Sequence, residues 1–303
     1  MNRTRAVLAV ALVGSMLLAG SGVAWASDDD HDSDDGHHSL GPGTRYVNMG
    51  DSFSAGSGVL PPAPGSAPAC TQSARNWGHE LAEDHDFRLT DVSCGGAETK
   101  DYTGSQFPGV APQLDALSEA TQLVTMTIGG NDSSVFISTV LACGTAAATT
   151  AGLGSPCKNI YGEKFTRQIE TSTYPNLLAA LRQVRAQAPN AKVAISGYLR
   201  ILPSTRGCFP VMPVASGDVP YVNGIQDTLN DAVRRAAEAT GVTFIDQSKN
   251  SAGHDACRPA GVRWVEPPVG MNYVPVHPNA AGERGMADRA AAVLHLGEPR
   301  RAT

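Results

Sequence analysis

Apolar residues along the chain follow two patterns, of which the first consists of short runs that favour β-strands. These runs are four to six residues long and lack a regular alternation of apolar and polar positions. Runs of this kind are typical of strands that are buried on both faces of a parallel sheet. They predict five strands: Tyr46–Met49, Thr90–Ser93, Leu123–Ile128, Lys192–Ser196 and Val242–Ile245.

The second pattern places apolar residues three or four positions apart, as on one face of a helix. It predicts helical segments in five places: Gln113–Ala120, Phe136–Cys143, Tyr174–Ala188, Val222–Ala239 and Gly282–Leu296. Stretches rich in Gly, Pro and small residues are expected to be loops: Gly58–Ala69, Thr145–Pro156 and Pro203–Pro220. Strands and helices alternate, which predicts an α/β fold whose helices cover both faces of a parallel sheet.

Three of the predicted strands end in turns rich in small residues, which carry Ser52, Gly96 and Asn131. Because the carboxyl ends of parallel strands meet at one edge of a sheet, we expect these turns to open onto one crevice. A serine at a strand-to-helix junction lies near unpaired helix N–H groups, and this position suits an acyl-transfer nucleophile. The alternative is that Gly50-Asp51-Ser52 is an ordinary turn.

A serine nucleophile needs a base within hydrogen-bond reach, and His277 is the candidate. Pro278 fixes the backbone after it, and Asn279 can cap the helix that follows. His277 is therefore expected to project from a loop. The alternative is a histidine on a surface loop without a chemical role.

Residues 1–26 have the features of a secretory signal, because Arg3 and Arg5 precede an apolar run that leads to an A-x-A cleavage sequence. The apolar run is too short for the alternative, a membrane anchor. Residues 27–43 begin with a tract of six Asp and three His, which predicts an acidic disordered linker rather than a metal-binding tract. We expect a secreted protein whose single catalytic domain spans residues 44–303.

The net charge of the precursor is −6, from 23 basic and 29 acidic residues. Without the two arginines of the signal and the six Asp of the linker, 21 basic and 23 acidic residues remain, a net charge of −2. A nearly neutral domain argues against nucleic acid as a partner. No second apolar stretch approaches the length of a membrane span, so no stable membrane insertion is expected, and a monomer is predicted.

Six cysteines in an exported chain indicate disulfides, and their spacing lacks the C-x-x-C pattern of a zinc site. Six cysteines allow about 15 pairings. Sequential pairing is favoured because each bond would close a loop rich in Gly, Pro or Ser. It gives three pairs: Cys70–Cys94, Cys143–Cys157 and Cys208–Cys257.

Four segments together resemble, in this order, the four sequence blocks of the SGNH/GDSL hydrolases: Gly50–Ser52, Gly95–Ala97, Gly129–Asp132 and His277–Gly282. The six cysteines and two further segments resemble the secreted actinobacterial lipase and esterase branch of this family: H-D-x-C at 254–257 and R-W-V at 263–265. The resemblance extends from about Arg45 to Leu296. It implies a three-layer α/β/α sandwich of flavodoxin-like topology that hydrolyses carboxylic esters, often acyl lipids.

The resemblance also implies roles for single residues. Ser52 matches the nucleophile of the family and His277 its base. The N–H of Gly96, the side-chain amide of Asn131 and the N–H of Ser52 itself would form the oxyanion hole. Three neutral donors around one oxyanion can replace a metal, so neither a metal nor another cofactor is expected.

One position departs from the common family pattern, which has an aspartate three residues before the histidine. Here that residue is Val274. In part of the actinobacterial branch a main-chain carbonyl orients the histidine, and the carbonyl of Val274 is the predicted acceptor. Asp246 and Asp255 are the alternatives, and either can equally be a turn residue.

Three functions agree with these residues. The first is a secreted serine carboxylic-ester hydrolase that acts on lipids or other acyl esters. The second is removal of acetyl groups from polysaccharide by the same chemistry. The third is a catalytically silent binding protein on this scaffold, which the missing aspartate leaves open.

Overall fold

A computed structural model of the chain describes residues 40–299. The predicted secretory signal and the linker up to residue 39 lie outside the described residues, so both stay predictions. In the part of the chain that is described, no helix is both long and apolar enough to cross a membrane.

Five parallel strands form one sheet in the order β2-β1-β3-β4-β5. Their bounds are β1 (Arg45–Gly50), β2 (Arg88–Asp91), β3 (Leu123–Thr127), β4 (Lys192–Ser196) and β5 (Thr243–Ile245). Val47 of β1 lies opposite Thr90 of β2 on one side and Val124 of β3 on the other. Because β1 and β3 are neighbours, the turns that follow them open at the same edge of the sheet.

The α-helices of the described residues are α1 (Ser52–Ala55), α2 (Trp77–His85), α3 (Val135–Thr149), α4 (Pro156–Tyr161), α5 (Lys164–Gln168), α6 (Tyr174–Gln187), α7 (Val219–Thr240) and α8 (Ala280–Leu294). Short 3₁₀ turns span Pro68–Cys70, Thr99–Tyr102, Gln113–Ala116, Asp132–Ser134 and Ser216–Asp218, and a π turn spans Ile169–Thr173. The predicted helices at the positions of α6, α7 and α8 are confirmed within a few residues. Each of these three has a clear apolar face and a recognisable start, such as the Asn279 cap of α8.

Three segments differ from the sequence-based expectation. Strand β2 spans Arg88–Asp91, two residues earlier than the predicted Thr90–Ser93. The predicted helix over Gln113–Ala120 is only a 3₁₀ turn over Gln113–Ala116. Helix α3 continues to Thr149 and so occupies the first part of the predicted loop Thr145–Pro156. Its small residues are helical because Ala146 and Ala147 are buried, so packing overrides a loop-like composition.

Helices cover both faces of the sheet, which confirms the predicted three-layer α/β/α sandwich. On one face α2 packs beside α8 over apolar side chains that include Tyr46 and Leu123. On the other face α6 packs beside α7 over Val47 and Val124. Alternate residues of each central strand therefore supply two separate cores, as expected for a sheet that is buried on both sides.

Three disulfides join the cysteines in the sequential pairing that the sequence analysis favoured: Cys70–Cys94, Cys143–Cys157 and Cys208–Cys257. The first connects the loop after α1 to the turn that carries Gly96. The second joins α3 to α4. Each bond is expected to stabilise the fold by roughly 2–4 kcal/mol.

Candidate active site

The turn after β1 presents Ser52 at the first position of α1. Asp51 is the N-cap of this helix, and its carboxylate accepts a hydrogen bond from the N–H of Phe53 at 3.0 Å. Gly50 has φ of +116°, and a Cβ at this position would lie 2.1 Å from the carbonyl oxygen of Thr127. Only glycine therefore lets the chain turn so closely against β3.

A buried network beneath this turn is centred on the carboxylate of Asp51. The carboxylate accepts hydrogen bonds from the hydroxyl of Thr127 at 2.7 Å and from the hydroxyl of Tyr198. The Tyr198 hydroxyl in turn accepts a hydrogen bond from the N–H of Gly130 at 2.8 Å. Burial raises the pKa of Asp51 to about 6, although the hydrogen bonds that it accepts oppose this shift. The network ties the turn after β1 to the turn after β3.

Ser52 and His277 meet although 225 positions separate them in the sequence. The Oγ of Ser52 lies 2.7 Å from Nε2 of His277, and Nδ1 of the ring lies 2.7 Å from the carbonyl oxygen of Pro275. Because a carbonyl oxygen only accepts, Nδ1 carries the proton and Nε2 is free to accept the proton of Ser52. Burial lowers the pKa of His277 below its usual value, and the hydrogen bond to Pro275 partly opposes this effect.

The acceptor at Nδ1 is thus Pro275, and the prediction of Val274 is wrong by one residue. The reason lies in the backbone of Val276, whose φ of +58° turns the chain between Pro275 and His277. This left-handed conformation is unusual for a β-branched residue and persists only where the surroundings hold it. Val276 is buried, and its turn directs the Pro275 carbonyl to the ring.

The two alternative aspartates use their carboxylates within their own turns. Asp246 accepts hydrogen bonds from the N–H and hydroxyl of Ser248 at 2.9 and 2.6 Å. Asp255 accepts one from the N–H of Cys257 at 3.0 Å and pairs with Arg258. Both are turn residues, and neither takes the place of a histidine partner.

Glu266 anchors the loop that carries His277. Its N–H donates to the carbonyl of His277 at 2.9 Å. Its carboxylate accepts hydrogen bonds from the side chains of Arg263 at 2.9 Å and Asn279 at 2.8 Å. Burial alone would raise the pKa of Glu266, but these hydrogen bonds and the Arg263 charge hold it below its usual value. The N–H and the carboxylate of Glu266 therefore hold the segment from His277 to Asn279.

Two side-chain amides hold the turn that carries Gly96, and one of them comes from Asn131. The amide of Asn131 donates to the carbonyl of Ala97 at 3.1 Å, and the amide of Gln106 donates to the carbonyl of Gly95 at 2.8 Å. The C=O and N–H of a trans peptide point in opposite directions. Holding the Gly95 carbonyl therefore fixes the direction of the Gly96 N–H.

Further hydrogen bonds link the turn that carries Gly96 to the turns on either side of it. The N–H of Cys94 donates to the carbonyl of Gly50 at 3.0 Å, which links the turn of Gly96 to the end of β1. The carboxylate of Asp132 accepts hydrogen bonds from the N–H and hydroxyl of Thr99 at 2.8 and 2.7 Å. The segments that the sequence placed at strand ends thus lie together beside Ser52.

An apolar cavity adjoins the histidine. Its walls come from α1, α3, α7 and nearby loops, and include Phe53, Phe136, Val140, Met212, Leu229 and Val276. The empty space among and in front of these walls is about 800 Å³, and this figure includes open solvent. The rings of Phe53 and Phe136 also pack against the His277 ring, at centroid distances of 5.3 and 5.8 Å. Phe53 and Phe136 therefore lie between the cavity and the His277 ring.

Residues 49–284 match the model of the GDSL-like lipase/acylhydrolase family, which is more than half of the chain. The chain belongs to this family. Lipase 2 of Streptomyces coelicolor is 55% identical to it, over 84% of this chain and 87% of its own length. The expectation of a carboxylic-ester hydrolase of the GDSL family is confirmed.

Two solved structures of similar proteins share the fold. One is an extracellular lipase from Streptomyces rimosus, with 26% identity, a TM-score of 0.69 and coverage of 82% of this chain and 99% of that one. The other is phospholipase A1 from Streptomyces albidoflavus, with 27% identity, a TM-score of 0.69 and coverage of 84% and 99%. The fold of this GDSL-family chain therefore agrees with that of crystallised relatives.

Sequence reasoning missed several residues that shape this GDSL-family site. Tyr198 follows the end of β4, so the rule that placed Ser52 and Asn131 at strand ends could have singled it out. Glu266 and Gln106 act through contacts between irregular loop segments, such as those with Asn279 and Gly95, and no local pattern marks them. The role of Pro275 is played by its main-chain carbonyl, which every residue has, so the sequence cannot mark it.

Proposed function

We propose that the chain is a secreted serine carboxylic-ester hydrolase that acts through an acyl-enzyme on Ser52. The observation that carries this proposal is the 2.7 Å contact between Ser52 Oγ and His277 Nε2. The other nitrogen of the ring, Nδ1, faces the main-chain carbonyl of Pro275. This arrangement supports a catalytic enzyme over a silent binding protein, because nucleophile and base are already in hydrogen-bond contact.

In the proposed reaction, Ser52 Oγ attacks the ester carbonyl carbon while its proton moves to Nε2 of His277. The resulting oxyanion accepts hydrogen bonds from the N–H groups of Ser52 and Gly96 and from the amide of Asn131. The C–O bond of the ester then breaks, and His277 returns the proton to the leaving alcohol. Water, deprotonated by His277, releases the acid from Ser52 by the same steps. The cycle requires no cofactor.

The apolar cavity beside His277 supports acyl chains longer than acetyl. A chain of several methylene groups would be removed from water there, at about 0.8 kcal/mol for each. An acetyl group would bury only one methyl group there. Lipid esters are therefore proposed as substrates ahead of acetylated polysaccharides.

Secretion and domain organisation complete the proposal. Three disulfides support an oxidising compartment. The proposed order is a signal over residues 1–26, an acidic linker over 27–43 and a monomeric catalytic domain over 44–303. Sequencing the exported protein should return Ser27 as its first residue.

A serine-directed organophosphate tests the proposed nucleophile. It should add one adduct to the native protein, located on Ser52 by peptide mass spectrometry, and abolish hydrolysis of a chromogenic ester. The Ser52→Ala variant should keep its circular dichroism spectrum, remain unlabelled and lose several powers of ten in turnover. An adduct elsewhere, or a tenth of the activity remaining in Ser52→Ala, would move the nucleophile to another residue.

A further inference from the structure

Charged residues are absent from four segments that surround the proposed active site. Residues 52–74, 133–157, 207–217 and 267–282 contain no Asp, Glu, Lys or Arg, although 17% of the chain consists of these residues. His277 is the only histidine among them. The four segments are far apart in sequence.

The structure brings these segments together at one cavity. Each contributes to the walls of the space beside His277: Phe53 from the first, Phe136 from the second, Met212 from the third and Val276 from the fourth. Their outer parts also touch. A Cβ at Gly58 would lie 3.0 Å from Cβ of Asn272, and one at Gly152 would lie 2.4 Å from the ring of Phe209.

The same segments carry most of the large apolar side chains that remain in water. Of eleven such exposed residues within 40–299, nine belong to the four segments. Val269, Met271 and Tyr273 alternate along one loop and are 91%, 78% and 57% exposed. Leu60 is 64% exposed, and Ile137 and Leu141 follow directly after the cavity residues Phe136 and Val140 on α3. We call these six residues the apolar rim: Leu60, Ile137, Leu141, Val269, Met271 and Tyr273.

Hydrogen bonds fix the backbone of the loop that carries Val269, Met271 and Tyr273. The carboxylate of Glu266 accepts a hydrogen bond from the N–H of Met271 at 3.0 Å, and the side chain of Asn272 donates to the carbonyl of Pro278. These bonds present the exposed side chains on a fixed base beside the proposed active site. Large apolar patches exposed on a protein surface mark interaction sites.

We propose that the apolar rim docks on the surface of lipid aggregates with zwitterionic or uncharged head groups, so that the cavity opens toward the acyl chains. The inference rests on the proposed ester hydrolysis, since the lipid is both the surface and the source of substrate. A rim without charges has no cations to pair with anionic lipids. It also has no ions to desolvate on entering an apolar interface. Binding should therefore depend little on salt or on anionic lipid.

Vesicle binding tests the proposal without hydrolysis when Ser52→Ala protein is used. This protein should sediment with phosphatidylcholine vesicles to within about twofold at about 0.1 M and about 1 M salt. Val269→Asp and Leu60→Asp, each added to Ser52→Ala, should weaken binding about tenfold or more, because a carboxylate would be buried in the interface. Val269→Leu should keep it. Ala120→Asp adds the same charge beside the amino end of β3, at the opposite edge of the sheet, and should leave binding within about twofold.

A second readout uses the chain with Ser52 intact. Val269→Asp should lower hydrolysis of a dispersed long-chain ester about tenfold and leave hydrolysis of a dissolved short-chain ester within about twofold. Equal vesicle binding by Val269→Asp and its parent, or binding that requires anionic lipid, would overturn the proposal. So would a stable dimer that Val269→Asp dissociates, because a second copy would then cover the rim. Activity of Ser52→Ala on the dissolved ester would refute the nucleophile and leave the vesicle result standing.

Discussion

The hydroxyl of Tyr198 donates a hydrogen bond to the buried carboxylate of Asp51, one residue before Ser52. The same hydroxyl accepts from the N–H of Gly130, one residue before Asn131. One phenol thus spans the turns that carry the proposed nucleophile and the proposed oxyanion donor. Their relative position depends on a side chain that touches neither of them.

Tyr198→Phe should lower both stability and turnover. The variant leaves the Gly130 N–H and one oxygen of Asp51 without this partner, which should reduce the free energy of unfolding by about 1–3 kcal/mol. Turnover should fall more than the apparent affinity for substrate, because the oxyanion donor would shift relative to Ser52. Urea unfolding and steady-state kinetics measure the two effects.

Tyr221→Phe is the matched control for this prediction. Its hydroxyl is buried and has no hydrogen-bond partner within the described residues. Its removal should leave the free energy of unfolding within about 0.5 kcal/mol. Equal losses in the two variants would show that the Tyr198 hydroxyl has no special role.

The rate of ester hydrolysis should follow the neutral form of His277. Burial lowers the pKa of this residue below 6.5, so the acid limb of the kcat/KM profile should have its midpoint below that value. The rate should be constant above the midpoint and fall as the pH drops through it.

Asp51 has a pKa of about 6 and titrates in the same range. The pH profile of Asp51→Asn is therefore the control, and it should keep an acid limb if His277 is the group observed. Loss of the limb in Asp51→Asn would assign the titration to Asp51 instead.

Asn131→Ala should lower turnover by about 10²–10³ with little change in the apparent affinity for substrate. The reason is that a hydrogen bond to the developing oxyanion strengthens chiefly in the transition state. Asn190→Ala, at an exposed position whose amide bonds the carbonyl of Glu119, is the control and should keep full activity. A defect confined to the Michaelis constant would contradict the proposed role of Asn131.

Asp246→Asn and Asp255→Asn should each retain most of the turnover. Both carboxylates serve local turns, whereas the Pro275 carbonyl holds Nδ1 of His277. Where an aspartate orients a catalytic histidine, its replacement by asparagine can lower the rate by about 10⁴. A loss of that size in either variant, with an unchanged circular dichroism spectrum, would establish a triad in place of the proposed dyad.

The sequence was most informative where one pattern repeats along an element. The strands near Tyr46, Leu123 and Lys192 are short, mainly apolar runs, and the helices α6, α7 and α8 each have an apolar face with helical spacing. The strand-end rule then placed Ser52 and Asn131 at one edge without knowledge of the contacts there.

The rest depended on information that a single stretch of sequence does not contain. Helix α3 extends through Ala146 and Ala147 because other parts of the chain bury them. The choice of Pro275 over Val274 follows from the backbone angle of Val276, which surrounding packing holds. Nothing in the sequence distinguishes Glu266 from the other glutamates, because its role depends on the hydrogen bond with Asn279 that the fold creates.

The hydrogen bond from His277 to a main-chain carbonyl has a consequence for how this protein can change over time. Every residue type supplies a carbonyl at position 275, so no side-chain replacement there removes the acceptor as long as the turn at Val276 survives. The exposed side chains of Val269, Met271 and Tyr273 can then change to suit a new lipid surface, because the acceptor of the histidine is a main-chain atom. Adaptation of the loop and preservation of the proposed dyad are separable.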